Sequence, residues 1–159
     1  MKKTILLFFI LIISCNNQIK LTHNFTLDEI KDGVIYEVNI RQYSESGHFN
    51  EFTKDIPKLR ELGVKILWLM PIHPISKIKR KGTLGSYYSI SDYKEVNPEF
   101  GNKEDLDRLI NEAHKNDMLV ILDWVANHTG WDHSWIKNNP DFYTKNKDGE
   151  ITDPINPST

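Results

Sequence analysis

A single cysteine, Cys15, occurs in the 159 residues. The chain can therefore form no internal disulfide and must hold its fold by packing. Long apolar runs are scarce. The one at residues 5–13 is nine long, against the about 20 that a membrane-crossing helix needs. Positive charge is not in excess either: Lys and Arg total 20 against 22 Asp and Glu, for a formal net charge of −2. That balance gives no basic footprint for nucleic acid, and none is expected as a partner. Glycine is sparse, and only Gly47 falls in residues 41–47 after the first predicted strand. A Gly-rich dinucleotide turn is thus missing. The chain is also short of the about 250 residues of a complete eight-stranded α/β barrel. What remains, 39% hydrophobic, 11% aromatic and 26% charged, is an ordinary globular balance with enough apolar residues for a real core.

The amino terminus reads as an address. Lys2 and Lys3 precede the apolar run, and Ser14 and Cys15 follow it, the layout of a secretory signal. Ile13-Ser14-Cys15 resembles the lipobox of a bacterial lipoprotein, although Ile12 stands where Leu is more usual. The expectation is a signal over residues 1–15 ending at a lipidated Cys15. The protein is then exported and held at a membrane through its acyl chains. An ordinary cleaved signal with an incidental cysteine is the alternative. Residues 16–27 are polar enough to serve as a tether.

From residue 28 onward, strand and helix patterns alternate. Residues 34–40 follow Gly33, are rich in β-branched side chains and predict a strand. Phe52, Ile56, Leu59 and Leu62 recur at helical spacing and are closed by Gly63, with the regular helix expected to begin near Pro57. Residues 64–69 form a near-continuous apolar run, as in a strand buried on both faces of a parallel sheet. A long connection spans residues 72–101. Asn102 predicts an N-cap, Glu104 and Asp105 suit the first turn, and Leu106, Leu109, Ile110 and Ala113 make the buried stripe. Residues 119–122 predict a third buried strand ending at Asp123-Trp124. The order β-α-β-α-β demands right-handed crossovers and a parallel sheet.

Polar and aromatic residues gather after the strand ends: Arg41, Gln42 and Tyr43, then His73, then Asn127 and His128. Parallel α/β folds place their ligands on that rim. The chemistry concentrates in residues 84–101 and 123–129. Asp123, followed four and five residues later by Asn127 and His128, sets an acceptor, an amide and an imidazole side by side. Trp124, Trp131, Trp135, Tyr87 and Tyr88 offer flat faces. Sugars need such a rim, with rings to stack on and short polar groups for hydroxyls. Each aromatic taken singly fits core or loop packing as well; the set, sitting beside polar residues in connections, fits it less.

Asp123-Trp124-Val125-Ala126-Asn127-His128 resembles the first signature region of the α-amylase family of glycoside hydrolases (glycosyl hydrolase family 13), at the end of the third barrel strand. Residues 64–74 resemble that family's second strand and turn, and Tyr88, Asp92 and Tyr93 resemble its aromatic-x-x-x-Asp-Tyr stretch. The resemblance covers nearly everything from Val34 to Pro154. It implies an α/β fold, the N-terminal part of a (β/α)8 TIM barrel. Three β strands and two helices would form a partial barrel over residues 28–126, and residues 127–159 would begin the small excursion domain after strand three.

The resemblance also implies roles. Tyr88 becomes the stacking platform under the sugar, and His128 a hydrogen-bond partner of one of its hydroxyls. Asp123 and Asp92 support the site, and Asn127 anchors the excursion, often as a calcium ligand. Calcium takes six to eight oxygens, and Asp132, Asp141, Asp148 and Asp153 are the nearby carboxylates, which a solvated loop would equally explain. The loop at residues 42–50 lacks the Asp-rich metal pattern of some members, so no ion is expected there.

A retaining glycosidase needs a nucleophilic carboxylate and a general acid about 5–5.5 Å apart. The family takes these from later strands, and no Arg-x-Asp segment of that kind occurs in these residues. The expectation is an α-amylase-like hydrolase of starch or maltodextrins whose fragment, as written, has no catalytic residue and no turnover. Its open apolar strand edges favour poor stability. A non-catalytic maltooligosaccharide-binding lipoprotein and a non-functional remnant are the alternatives.

Overall fold

The computed structural model describes residues 26–153. Cys15, the apolar signal run and residues 16–25 of the expected tether lie outside the described residues, as do residues 154–159. Residue 27, the expected end of the tether, instead opens the short helix α1 (Leu27–Lys31).

Three strands follow one another through the fold: β1 (Val34–Val38), β2 (Val64–Leu69) and β3 (Leu119–Leu122). They pair in parallel in the order β1-β2-β3. The connecting helices are α2 (Ile40–Tyr43), α3 (Phe49–Glu61) and α4 (Lys103–Lys115). Beyond β3 come α5 (Ser134–Asn138) and a 3-10 turn at Pro140–Phe142. This is the α/β architecture expected from the sequence, with β2 in the middle.

The core lies between the sheet and the α3–α4 pair. Phe52, Ile56 and Leu59 of α3 meet Leu67 and Leu69 of β2, with Leu109, Ala113 and Met118 completing the layer. Spacing three or four apart places the α3 residues on one stripe. Gly63 adopts φ +91° just past α3, the left-handed conformation that ends helices and that a side chain resists. Asn102 caps α4 by accepting from the Asp105 N–H at 2.9 Å, and Asp105 returns the favour to the Asn102 N–H at 2.9 Å. Four donors of that first turn need partners, and this box satisfies two groups at once.

Four expectations are corrected. The first strand ends at Val38, because Ile40 turns inward as the buried start of α2. Helix α3 begins at Phe49 rather than near Pro57, which sits inside it. Pro57 is exposed, so the carbonyl that loses its partner one turn earlier can turn toward water. Leu62 lies past the last turn and is 70% exposed instead of buried. Strand β3 is not a buried strand: Ile121 and Leu122 are exposed, as are Val34 and Ile35 of β1. Only β2 has neighbours on both sides among the described residues.

Two long loops interlock above the strand ends. In the first, an isolated antiparallel bridge joins Ile75 to Ile90, with Ser76 N–H donating to the Ser89 carbonyl at 2.7 Å. The excursion after β3 is pinned on it. Gly130 N–H donates to the Ile90 carbonyl at 2.6 Å, and Asp132 Oδ2 accepts from the Lys77 N–H at 2.7 Å. Lys79 places its ammonium 3.5 Å from the Trp131 ring centroid, within cation–π range. Among the described residues, no helix is long and apolar enough to cross a membrane.

Candidate functional site

Parallel strands deliver their carboxyl ends to one rim, and the two loops built on that rim meet there. Tyr88 comes from the loop after β2, while Asp123 is the first residue past β3. The Tyr88 hydroxyl donates to Asp123 Oδ2 at 2.9 Å. Its backbone carbonyl lies 3.0 Å from His128 Nε2. Three of the residues singled out in the sequence, Tyr88, Asp123 and His128, thus come together.

The carbonyl fixes the state of the imidazole. A carbonyl oxygen can only accept, so Nε2 of His128 carries the proton and, in the neutral ring, Nδ1 is an acceptor. Asn127 Nδ2 lies 3.4 Å from that Nδ1, a long contact that orients the amide weakly. Nε2 of His128 is thus committed to the Tyr88 carbonyl, and Nδ1 meets only the long Asn127 contact. Tyr88, Asn127 and His128 are all exposed, and Asp123 is half-buried.

Electrostatics follow from these contacts. The hydrogen bond to Asp123 raises the Tyr88 hydroxyl above its ordinary value of 10.0, with burial and the Asp123 charge adding to it. Ionising the phenol would set two negative groups against each other, so the neutral phenol is held.

Asp92 stands apart from the trio. It closes its own turn by accepting the Lys94 N–H at 2.8 Å, and its charge acts on His133. Behind the rim, the Tyr93 hydroxyl lies 2.6 Å from both the Val125 and the His128 carbonyls. One phenolic proton serves two acceptors there, clamping the backbone that carries Asn127 and His128. Burial raises the Tyr93 hydroxyl as well. His133, 4% exposed, packs against Tyr93 and Trp135 at centroid distances of 5.4 and 4.5 Å.

A cavity of about 350 Å³ opens on the excursion side, with Trp124, Asn127, His128, Trp135 and Tyr143 among its lining. Tyr88 and Asp123 are not part of that lining. The trio and the cavity share His128, so the imidazole divides an open rim from a more apolar hollow.

The residues present do not make a calcium site. Asn127 offers one exposed amide, and no cluster of three or more His, Cys, Asp or Glu able to hold a metal occurs among the described residues. Asp132 is spent on the Lys77 and Ile78 N–H groups, and Asp141 pairs with Lys145 at 2.6 Å. A six- to eight-oxygen shell is not assembled from this set.

Several contributors were hidden from sequence reasoning. Arg41 stands at the right place after β1, but its reach to residues 84 and 99 spans 43 and 58 positions. The pinning of the excursion through Gly130 and Asp132 is likewise a contact between distant loops, for which no local spacing rule exists. Tyr93 was visible as part of a motif, and its clamp on two carbonyls was not.

A family model described as "Alpha amylase, catalytic domain" matches residues 23–154. The alpha-amylase SusG of Bacteroides thetaiotaomicron is 39% identical over 117 residues, covering 70% of this chain and 16% of that protein. Trehalose-6-phosphate hydrolase of Bacillus subtilis is 35% identical over 112 residues, covering 67% of this chain and 19% of that protein. Among solved structures, an alpha-amylase from Lactobacillus plantarum superposes with a TM-score of 0.77 at 42% identity, covering 80% of this chain and 30% of that one. The Geobacillus thermoleovorans alpha-amylase complexed with acarbose superposes at 0.59 with 31% identity, over 73% of this chain and 28% of that one. The chain thus spans less than a third of the length of these relatives.

Proposed function

The chain belongs to the α-amylase family of glycoside hydrolases, and from that premise we propose that its rim grips an α-glucan or maltooligosaccharide. The convergence of Tyr88, Asp123 and His128 carries this reading. The Tyr88 ring offers a flat face to a pyranose, and its tie to Asp123 holds that face in one orientation. His128, with Nε2 turned to the Tyr88 carbonyl, presents Nδ1 to a sugar hydroxyl as an acceptor. A pre-set ring loses little rotamer freedom on binding.

Cleavage in the whole protein follows the retaining route: a carboxylate attacks the anomeric carbon, an acid protonates the leaving oxygen, and water releases the glycosyl group. In that reaction Tyr88, Asp123 and His128 bind and orient the sugar. Asp92 and Asp123 do not form an acid–nucleophile pair, since Asp92 is committed to a turn and Asp123 to Tyr88. The protein is exported and anchored through acylated Cys15.

Titration of the chain with maltoheptaose and with acarbose, read by calorimetry, tests the binding reading. Saturable binding lost in Tyr88→Ala supports it, and no binding by the parent chain overturns it. Labelled palmitate incorporated by cells expressing the chain, and not by cells expressing Cys15→Ala, tests the anchor. Equal labelling of the two rejects it.

A further inference from the structure

Arg41 lies in α2, directly after β1, with its side chain only 14% exposed. Its Nη2 donates to Glu99 Oε2 at 2.9 Å and to the Leu84 carbonyl at 3.4 Å. The guanidinium carbon stands 4.5 Å from the Tyr87 ring centroid and 5.8 Å from that of Phe100. Its Nε is buried without a hydrogen-bond partner. A guanidinium free to reach water would satisfy that donor, so the carboxylate and the two rings must outweigh the cost of keeping it inside. The backbone around it is also fixed. Gly47 holds φ +64°, and a Cβ there would stand 3.0 Å from the Arg41 carbonyl oxygen.

We propose that Arg41 is a positioning residue for the sugar-contacting rim: its guanidinium fixes residues 84–87 against the end of β1 and so sets where Tyr88 stands. His128 already holds the Tyr88 carbonyl, and two further holds set its ring and the segment that leads to it. Asp123 takes its hydroxyl, and Arg41 takes the carbonyl of Leu84 and the ring of its neighbour Tyr87. Without Arg41, residues 84–87 would lose their tie to the end of β1, and the phenol would meet Asp123 less squarely. Lysine cannot replace the arginine fully. An ammonium keeps the charge but lacks the flat guanidinium plane that Arg41 sets near the Tyr87 and Phe100 rings. For its sugar-binding arm only, this inference rests on the function proposed above.

The test uses the full chain with tyrosine labelled with ¹³C at Cζ, the Tyr88 signal being assigned by its loss in Tyr88→Phe. In Arg41→Met the Tyr88 signal should shift or broaden, and its titration midpoint should fall back toward the ordinary 10.0. Maltoheptaose affinity should drop about tenfold, and Arg41→Lys should lie between the two. If the parent chain binds no maltoheptaose while the Tyr88 signal still responds to Arg41→Met, the positioning role stands and the sugar reading falls. A folded Arg41→Met with Tyr88 signal and midpoint unchanged overturns the inference. Should Arg41→Met fail to fold, the isosteric Glu99→Gln is read in the same way: a moved Tyr88 signal supports the role, and an unmoved one rejects it.

Discussion

The Tyr88 hydroxyl and the Asp123 carboxylate, 35 residues apart in sequence, are joined by a 2.9 Å hydrogen bond. That bond ties the loop after β2 to the end of β3 and gives the rim a ring of fixed orientation. A hydrogen bond to a charged acceptor contributes about 1.5–3 kcal/mol in favourable settings and less when exposed. It is therefore strong enough to orient the ring and too weak to be the only thing holding the loop.

Tyr88→Phe and Tyr88→Ala should separate the ring from its hydroxyl. Phenylalanine keeps the flat face and loses the tie, so maltoheptaose affinity should fall less than about tenfold, whereas alanine should lose more than that. The parent chain should also show an alkaline effect. The folded phenol titrates above its ordinary 10.0, so its contribution to stability is complete below that value and is lost as pH rises through the folded value. Melting temperature followed between pH 9 and 12 should decline more steeply for the parent than for Tyr88→Phe. Parallel curves would reject the coupling.

The capping box of α4 makes a separate prediction about the scaffold. Asn102→Ala removes the acceptor for the Asp105 N–H and should cost about 0.5–2 kcal/mol, measured by urea unfolding. Asp105 accepts from the Asn102 N–H and from Asn50 Nδ2 at 2.9 and 2.8 Å and pairs with Arg108. These contacts hold its carboxyl below the ordinary 3.8, the backbone bond first. Its contribution is thus present above pH 3.8 and is lost as pH falls through the folded value. Asp105→Asn should flatten that acid limb, and an unchanged limb would count against it.

Sequence periodicity revealed the fold where local rules act alone. Strand β2 lies at the expected residues, because four of its six side chains are buried and Lys65 alone interrupts the apolar run. Asn102 and Gly63 were legible as caps because their chemistry is confined to one turn. Strand β1 and helix α3 were less so: Ile40 reads as β-branched strand material and is drawn into α2 by burial, and Pro57 is tolerated because it faces solvent. The rim was legible as a set of residue types at strand ends. Which of them touch was not, since the Tyr88–Asp123 and Arg41–Glu99 pairs are made by loops crossing long sequence gaps.

His133 provides a histidine whose proton matters to a helix. Its Nδ1 accepts the Trp135 N–H at 3.1 Å and caps α5, which requires that nitrogen unprotonated. Burial lowers its pKa from the ordinary 6.5, against the raising effects of the Asp92 and Asp132 charges. A folded value below the unfolded one gives stability that is full above pH 6.5 and is lost as pH falls through the folded value. Asparagine caps without titrating. Near-ultraviolet dichroism of the tryptophans should therefore change on acidification in the parent and stay flat over the same range in His133→Asn. Identical acid responses would rule the cap out.

Gly130 sets how closely the excursion can approach the loop after β2. A Cβ at this position would lie 2.3 Å from Ser76 Cβ, 2.8 Å from Ser76 Oγ and 3.1 Å from the Ile90 carbonyl oxygen. The conflict is steric rather than conformational, because Gly130 is not among the residues of positive φ. Ser76 is 2% exposed and cannot swing into solvent, and Gly130 N–H already donates to the Ile90 carbonyl at 2.6 Å. Gly130→Ala should therefore push the two loops apart and destabilise the chain by about 1–3 kcal/mol. Ser76→Gly in the same molecule removes two of the three clashes. The double variant should recover part of the loss and not all of it, since the Ile90 carbonyl remains in the way. Melting the parent, the two single variants and the double variant gives the coupling directly. Additive single effects would mean that the loops are not in contact here, and the excursion would then need another anchor than the one Gly130 provides.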